Sequence, residues 1–237
     1  MKATSKRINT LLSVSAMFFA SSAIMAQDMS ITVTNLTQGL YFTPVITSAH
    51  TSDNHIFMVG NAATAELQAM AEGGDISGLV SLLSNADANT NENPAAGLLA
   101  PGMSTTYSLS NDSTNTHLSM ATMILPSNDG FVGLDGWKIP TEAGTYTIML
   151  NAYDAGTEAN NELVNGGGAP GVLGIPAAPG GDSGTNGMGV TDTESNTMVH
   201  IHRGNLGDDE LDGGKSDLNN SIHRWLNPVA KLTITIQ

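Results

Sequence analysis

The 237-residue chain carries 22 acidic residues against eight basic ones, a formal net charge of −14, and no cysteine. That balance argues against nucleic acid and anionic membrane surfaces as partners. The missing thiols exclude disulfide stapling, thiolate metal sites and thiol catalysis.

The N-terminus, MKATSKRINTLLSVSAMFFASSAIMAQ, sets Lys2, Lys6 and Arg7 ahead of an apolar run from Leu11 to Ala20, followed by small residues up to Ala26. This is the three-part pattern of a secretory signal over residues 1–26, with cleavage expected after Ala26; retention of the apolar run as an anchor is the alternative. Residues 27–237 are then expected to form a single β-sandwich domain, secreted, periplasmic or held at the cell surface, with no membrane insertion of the mature chain. Removing the signal leaves five basic residues against 22 acidic ones, a formal charge of −17.

Strand-like alternation opens the mature chain in SITVTNLT, where Ile31 and Val33 share one face, and closes it in AKLTITIQ, where Leu232, Ile234 and Ile236 do the same. Between them, residues 105–110, 117–125, 144–152 and 196–202 read as further strands, with 41–47 weakened by Pro44, which has no N–H for a ladder. AATAELQAMAEGG departs from this pattern: its composition predicts a helix ending at Gly73–Gly74, and Asp75 is placed to cap a second short helix through ISGLVSLLS. Residues 165–190 are so rich in Gly and Pro that a long loop is expected. Strands separated by Gly- and Asn-rich turns suggest a sandwich more than a barrel, although periodicity alone does not separate the two.

Two strands run into acidic turns, HLSMATMILPSNDG at Asp129 and GTYTIMLNAYDAGTE at Asp154 and Glu158. Turn carboxylates are ordinary solvated groups by default, but two such turns side by side would gather the hard oxygen donors that calcium requires.

The pattern MATMILPSNDGFVGL followed by AYDAGTE is similar to the spondin N-terminal domain, the module found in F-spondin, mindin and bacterial secreted homologues. Further matching segments are ITVTNLTQGLYFTPVITSAH, IFMVGNAATAELQAMAEGG and the terminal NPVAKLTITI. The resemblance implies an all-β fold, an antiparallel β-sandwich similar to calcium-dependent phospholipid-binding domains with a short helical insertion. It also implies a Ca2+ ion at one edge, with Asp129, Asp154 and Glu158 in the ligand positions. The chain departs from the animal pattern at Tyr153, where Trp is usual, at Glu158, where Asp is usual, and in lacking the cysteine-bearing insertion after VGL.

Other constellations compete. GGDSGTNG around Ser183, with His50 upstream, resembles the serine and histidine motifs of trypsin-like proteases, but Thr185 stands where Gly is expected and the surroundings are a Gly/Pro loop. DDELDGG offers Asp208, Glu210, Asp212 and Gly213 as half of an EF-hand loop, but Asn219 occupies the position of the bidentate Glu. His200 and His202 lie two apart on an expected strand and so share a face, as a zinc or copper pair would. The reading of the whole is a secreted, non-enzymatic, calcium-binding module for adhesion to an unidentified protein or glycan on a surface or matrix. The alternatives are a serine- or metal-dependent hydrolase, and a calcium-dependent carbohydrate-binding module using Trp137, Tyr153 or Trp225.

Overall fold

Apolar residues at every second position of the first and last strands form two rows of the core. In a computed structural model, which describes residues 26–177 and 184–237, β1 (Gln27–Asn35) lies between β10 (Ala230–Ile236) and β5 (Ser104–Asn111). Ile31 stands opposite Ile234 on one side and Tyr107 on the other. Met29, Ile31, Val33, Leu232, Ile234 and Ile236 all point inward and are buried, while the alternating Thr residues face out. The signal expected at the N-terminus, apart from Ala26, lies outside the described residues.

The remaining strands are β2 (Tyr41–Phe42), β3 (Ile46–His50), β4 (Asn89–Glu92), β6 (His117–Leu125), β7 (Gly130–Lys138), β8 (Gly144–Asp154) and β9 (His200–Ile201). All pairings are antiparallel and follow one path, β4-β3-β6-β7-β8-β10-β1-β5, with β2 added to β6 and β9 to β8. The two ends of this path approach each other. Thr47 Oγ1 and the Tyr107 hydroxyl are 2.5 Å apart, and Asn91 Nδ2 donates to the Ser108 carbonyl at 3.3 Å. The ten-stranded sheet is therefore a nearly closed barrel, with one continuous ladder where the sequence suggested two facing sheets. Alternation of apolar and polar residues is common to both arrangements, which is why it did not separate them.

β6 is buried on both faces from Leu118 to Leu125, with Ser119 and Thr122 the only polar residues in that stretch. Leu118, Met120 and Ile124 face the barrel interior, whereas Ala121, Met123 and Leu125 belong to a second core outside it. That outer core is covered by α1 (Ala65–Gly73) and α2 (Ser77–Asn85) through Leu67, Met70, Ala71, Leu79 and Leu83. Thr64 caps α1 by accepting the Leu67 N–H at 3.2 Å, and Gly74 ends it in the left-handed region at φ 72°. Asp75 accepts the Ser77 N–H at 2.9 Å, although Ile76, not Asp75, occupies the cap position of α2. Pro44 splits the expected 41–47 strand into β2 and β3, as a residue without an N–H would.

β4 and β7 are strands that periodicity did not reveal. β4 is entirely polar (NTNE), and β7 contains Gly130, Gly133 and Gly136. Gly133 is required by packing: a Cβ there would stand 2.5 Å from the Phe57 ring. β7 is the strand that positions the site.

Candidate functional site

Gly130, the first residue of β7, pairs with Asp154, the last residue of β8. One residue further out, the Asp129 carbonyl accepts the Ala155 N–H at 3.2 Å. The two acidic turns expected to lie side by side are therefore joined by the backbone itself. Asp129, Asp154 and Glu158 are all buried, at 0%, 1% and 6% exposure, so none is a solvated surface carboxylate.

Asp129 uses one oxygen to hold the turn after β8. Its Oδ2 accepts the N–H groups of Thr157 at 2.8 Å and Glu158 at 3.2 Å, with the Thr157 hydroxyl at 3.3 Å. Its Oδ1 is buried without a hydrogen-bond partner. Asp154 accepts Gly156 N–H at 2.9 Å through Oδ1 and Asn160 Nδ2 at 2.7 Å through Oδ2. Glu158 Oε1 accepts Asn128 Nδ2 at 2.8 Å and also the Gly174 N–H, and its Oε2 has no partner. Gly156 adopts φ +71°, and a Cβ there would lie 2.6 Å from the backbone carbon of Thr197, so the turn that separates the two acids needs glycine on both counts.

Burial pushes the Asp129 carboxyl well above the usual range, and the neighbouring Asp154 charge pushes it further. Burial raises Asp154 as well, against hydrogen bonds from Asn160 and Gly156 that favour its ionised form. Glu158 rises to about 7, again mainly through burial, with Gly174 and Asn128 pulling it down and Glu72 adding repulsion. The protein thus holds acidic oxygens in a desolvated pocket with two of them unpaired, which costs free energy for every carboxyl that ionises there. An all-oxygen donor set suits a hard cation. Among the described residues, no group of three or more His, Cys, Asp or Glu side chains is already gathered around one point as metal ligands. What the structure does show is that Asp129 Oδ1 and Glu158 Oε2 are buried without a hydrogen-bond partner.

Sequence reasoning missed the amides that organise this pocket. Asn128 bridges Glu158 and Asn161, and Asn160 links Asp154 to His202, whose Nε2 lies 3.0 Å from Asn160 Oδ1. Their signal was the density of Asn within SND and EANNE, next to the acids they orient.

The competing constellations resolve differently. His202 Nδ1 accepts the Gly204 N–H at 2.9 Å, so Nε2 carries the proton given to Asn160 and neither nitrogen is free for a metal. Burial pushes His202 down to about 3. His200 and His202 each stand 3.8–3.9 Å from an Asp154 oxygen. Asp208 spends its Oδ2 on the N–H groups of Lys215 and Ser216, at 2.7 and 2.9 Å, which closes its loop. His50 is fully buried with Nε2 2.7 Å from Ser119 Oγ, a link between β3 and β6 sealed from solvent. Ser183 lies outside the described residues. Tyr153 packs against Phe57 and Phe131, with ring centroids 4.9 and 5.6 Å away, and Trp225 against His202 at 4.9 Å, so neither presents a free ring face for stacking.

No helix among the described residues is long and apolar enough to cross a membrane. No curated protein matches the chain. The Spondin_N family model matches residues 34–163, more than half of the chain and the part that contains all three carboxylates. The chain belongs to the Spondin_N family, whose modules are generally extracellular, related to adhesion and non-catalytic.

Proposed function

We propose that the protein is a secreted, non-enzymatic binding module in which Asp129, Asp154 and Glu158 hold a calcium ion that fixes the loops at one rim of the barrel. The single observation that carries this is the burial of Asp129 Oδ1 and Glu158 Oε2 without partners, beside a third buried acid. When bound, the cation supplies the positive charge that lets these groups ionise together. Asp129 meanwhile keeps its Oδ2 on the 157–158 backbone, and Asp154 stays oriented by Asn160.

The curled sheet corresponds, on this reading, to the sandwich of calcium-dependent phospholipid-binding domains, with residues 27–237 as one unit left after removal of the signal. The rim loops would present a surface to a protein or glycan on a cell or matrix. Binding to the folded state alone stabilises it by about 2.7 kcal/mol at a hundredfold excess over the dissociation constant. Extracellular modules operate with dissociation constants of roughly 10⁻⁴ to 10⁻³ M.

The test is thermal unfolding of residues 27–237 with calcium and with chelator, for the wild type and Asp154→Asn. Calcium should raise the wild-type midpoint and leave the variant's unchanged. A wild-type midpoint indifferent to calcium would remove the ion from this reading.

A further inference from the structure

The described residues contain five basic side chains, and two of them, Arg203 and Arg224, line the same groove. The groove has a volume of about 420 Å³ and is completed by Asn205, Leu206, Trp225 and Leu226. Two arginines 21 positions apart meet because Gly204, at φ +86°, lets its loop run against the backbone of Trp225: a Cβ on Gly204 would stand 2.7 Å from the Trp225 carbonyl oxygen.

Neither guanidinium is neutralised. Among the described residues no carboxylate lies within 4.0 Å of either arginine, in a chain with 22 acidic residues. Arg203 donates one bond, from Nη2 to the Asn160 carbonyl at 3.3 Å, and its other donors remain available. Both side chains are exposed. The walls beside them are apolar, with Leu206 43% and Leu226 85% exposed, and the buried indole N–H of Trp225 has no acceptor.

We propose that this groove binds a carboxylate joined to an apolar body, with Arg203 and Arg224 on the anion and the exposed Leu206 and Leu226 against the apolar part. Arginine presents its N–H groups in a planar fork that matches a carboxylate. A single negative charge is specified because the acidic remainder of the chain repels each additional one. The volume suits a small molecule or a chain end, in the range of roughly 300–1,000 Å³ typical of ligand clefts. The proposal does not rest on the cation site.

The test is calorimetric titration, with calcium present throughout, of four probes: hexanoate, N-acetylphenylalanine and their neutral amides. At least one acid should bind saturably and its amide should not. Arg224→Gln changes an exposed residue with no ion pair and should leave folding intact, yet weaken the acid at least tenfold. Lys138→Gln, at the end of β7, should leave the affinity unchanged. Binding confined to N-acetylphenylalanine would identify a peptide terminus as the source, and binding of hexanoate a free aliphatic acid; both support the site. Absence of binding by both acids, equal binding of acid and amide, or full affinity in Arg224→Gln would overturn it.

Discussion

The Asp129 carbonyl and the Ala155 N–H meet at 3.2 Å, continuing the β7–β8 ladder past Asp154 and holding the two aspartates together through their backbones. Their proximity is therefore imposed by β pairing and opposed by their charge. A substitution that removes the charge while keeping the shape relieves the folded protein. Asp129→Asn in chelator should raise stability by about 1 kcal/mol, or about 2–4 °C in midpoint for a chain of this size, and should abolish the response to calcium. Differential scanning calorimetry of both forms checks this.

Glu158 gives the effect a pH signature. Its folded-state pKa is raised from 4.5 to about 7, so its contribution to stability is fully present below about 4.5 and is lost as pH rises through about 7. Glu158→Gln cannot ionise and escapes that loss. In chelator the two proteins should be closest in stability at pH 4, and the variant's advantage should grow up to pH 7.5. Calcium should reverse the order at the upper end, as measured by urea unfolding across this range.

His202 acts in the opposite sense. Burial depresses it from 6.5 to about 3, so its contribution is present above pH 6.5 and is lost as pH falls through about 3. His202→Gln should be less stable than the wild type at pH 7, because the Trp225 ring loses its partner and the Asn160 and Gly204 bonds are disturbed. The gap should narrow in acid. Zinc should raise the midpoint of neither protein, since both nitrogens of His202 are engaged.

The turn between the acids can be broken without touching a carboxylate. Gly156→Ala combines a left-handed backbone with a Cβ 2.6 Å from the Thr197 backbone. The expected cost is about 1–3 kcal/mol. Because the 157–158 N–H groups shift away from Asp129, calcium affinity measured by titration calorimetry should fall with stability.

The outer strands were legible in the sequence because each has one wet face: the alternation of Ile31 and Val33, or of Leu232 and Ile234, records the sheet directly. β7 was not, because its glycines answer to neighbours far along the chain, such as the Phe57 ring over Gly133. Periodicity has no access to that contact. The three carboxylates were singled out by the acidic turns that follow two strong strands and by the family resemblance. Their burial, and the Asn128 and Asn160 amides that hold them, depend on contacts from Asn161, Gly174 and His202, which no local pattern encodes. The arginine groove was invisible for the same reason, since Gly204 acts through Trp225, 21 positions away.

The seam where β4 approaches β5 is bridged by the Thr47–Tyr107 and Asn91–Ser108 contacts in place of a backbone ladder. Open sheet edges are templates on which other chains polymerise. Turned toward each other and occupied by polar side chains, these two edges spend on one another the pairing capacity that an open edge would offer to a second chain.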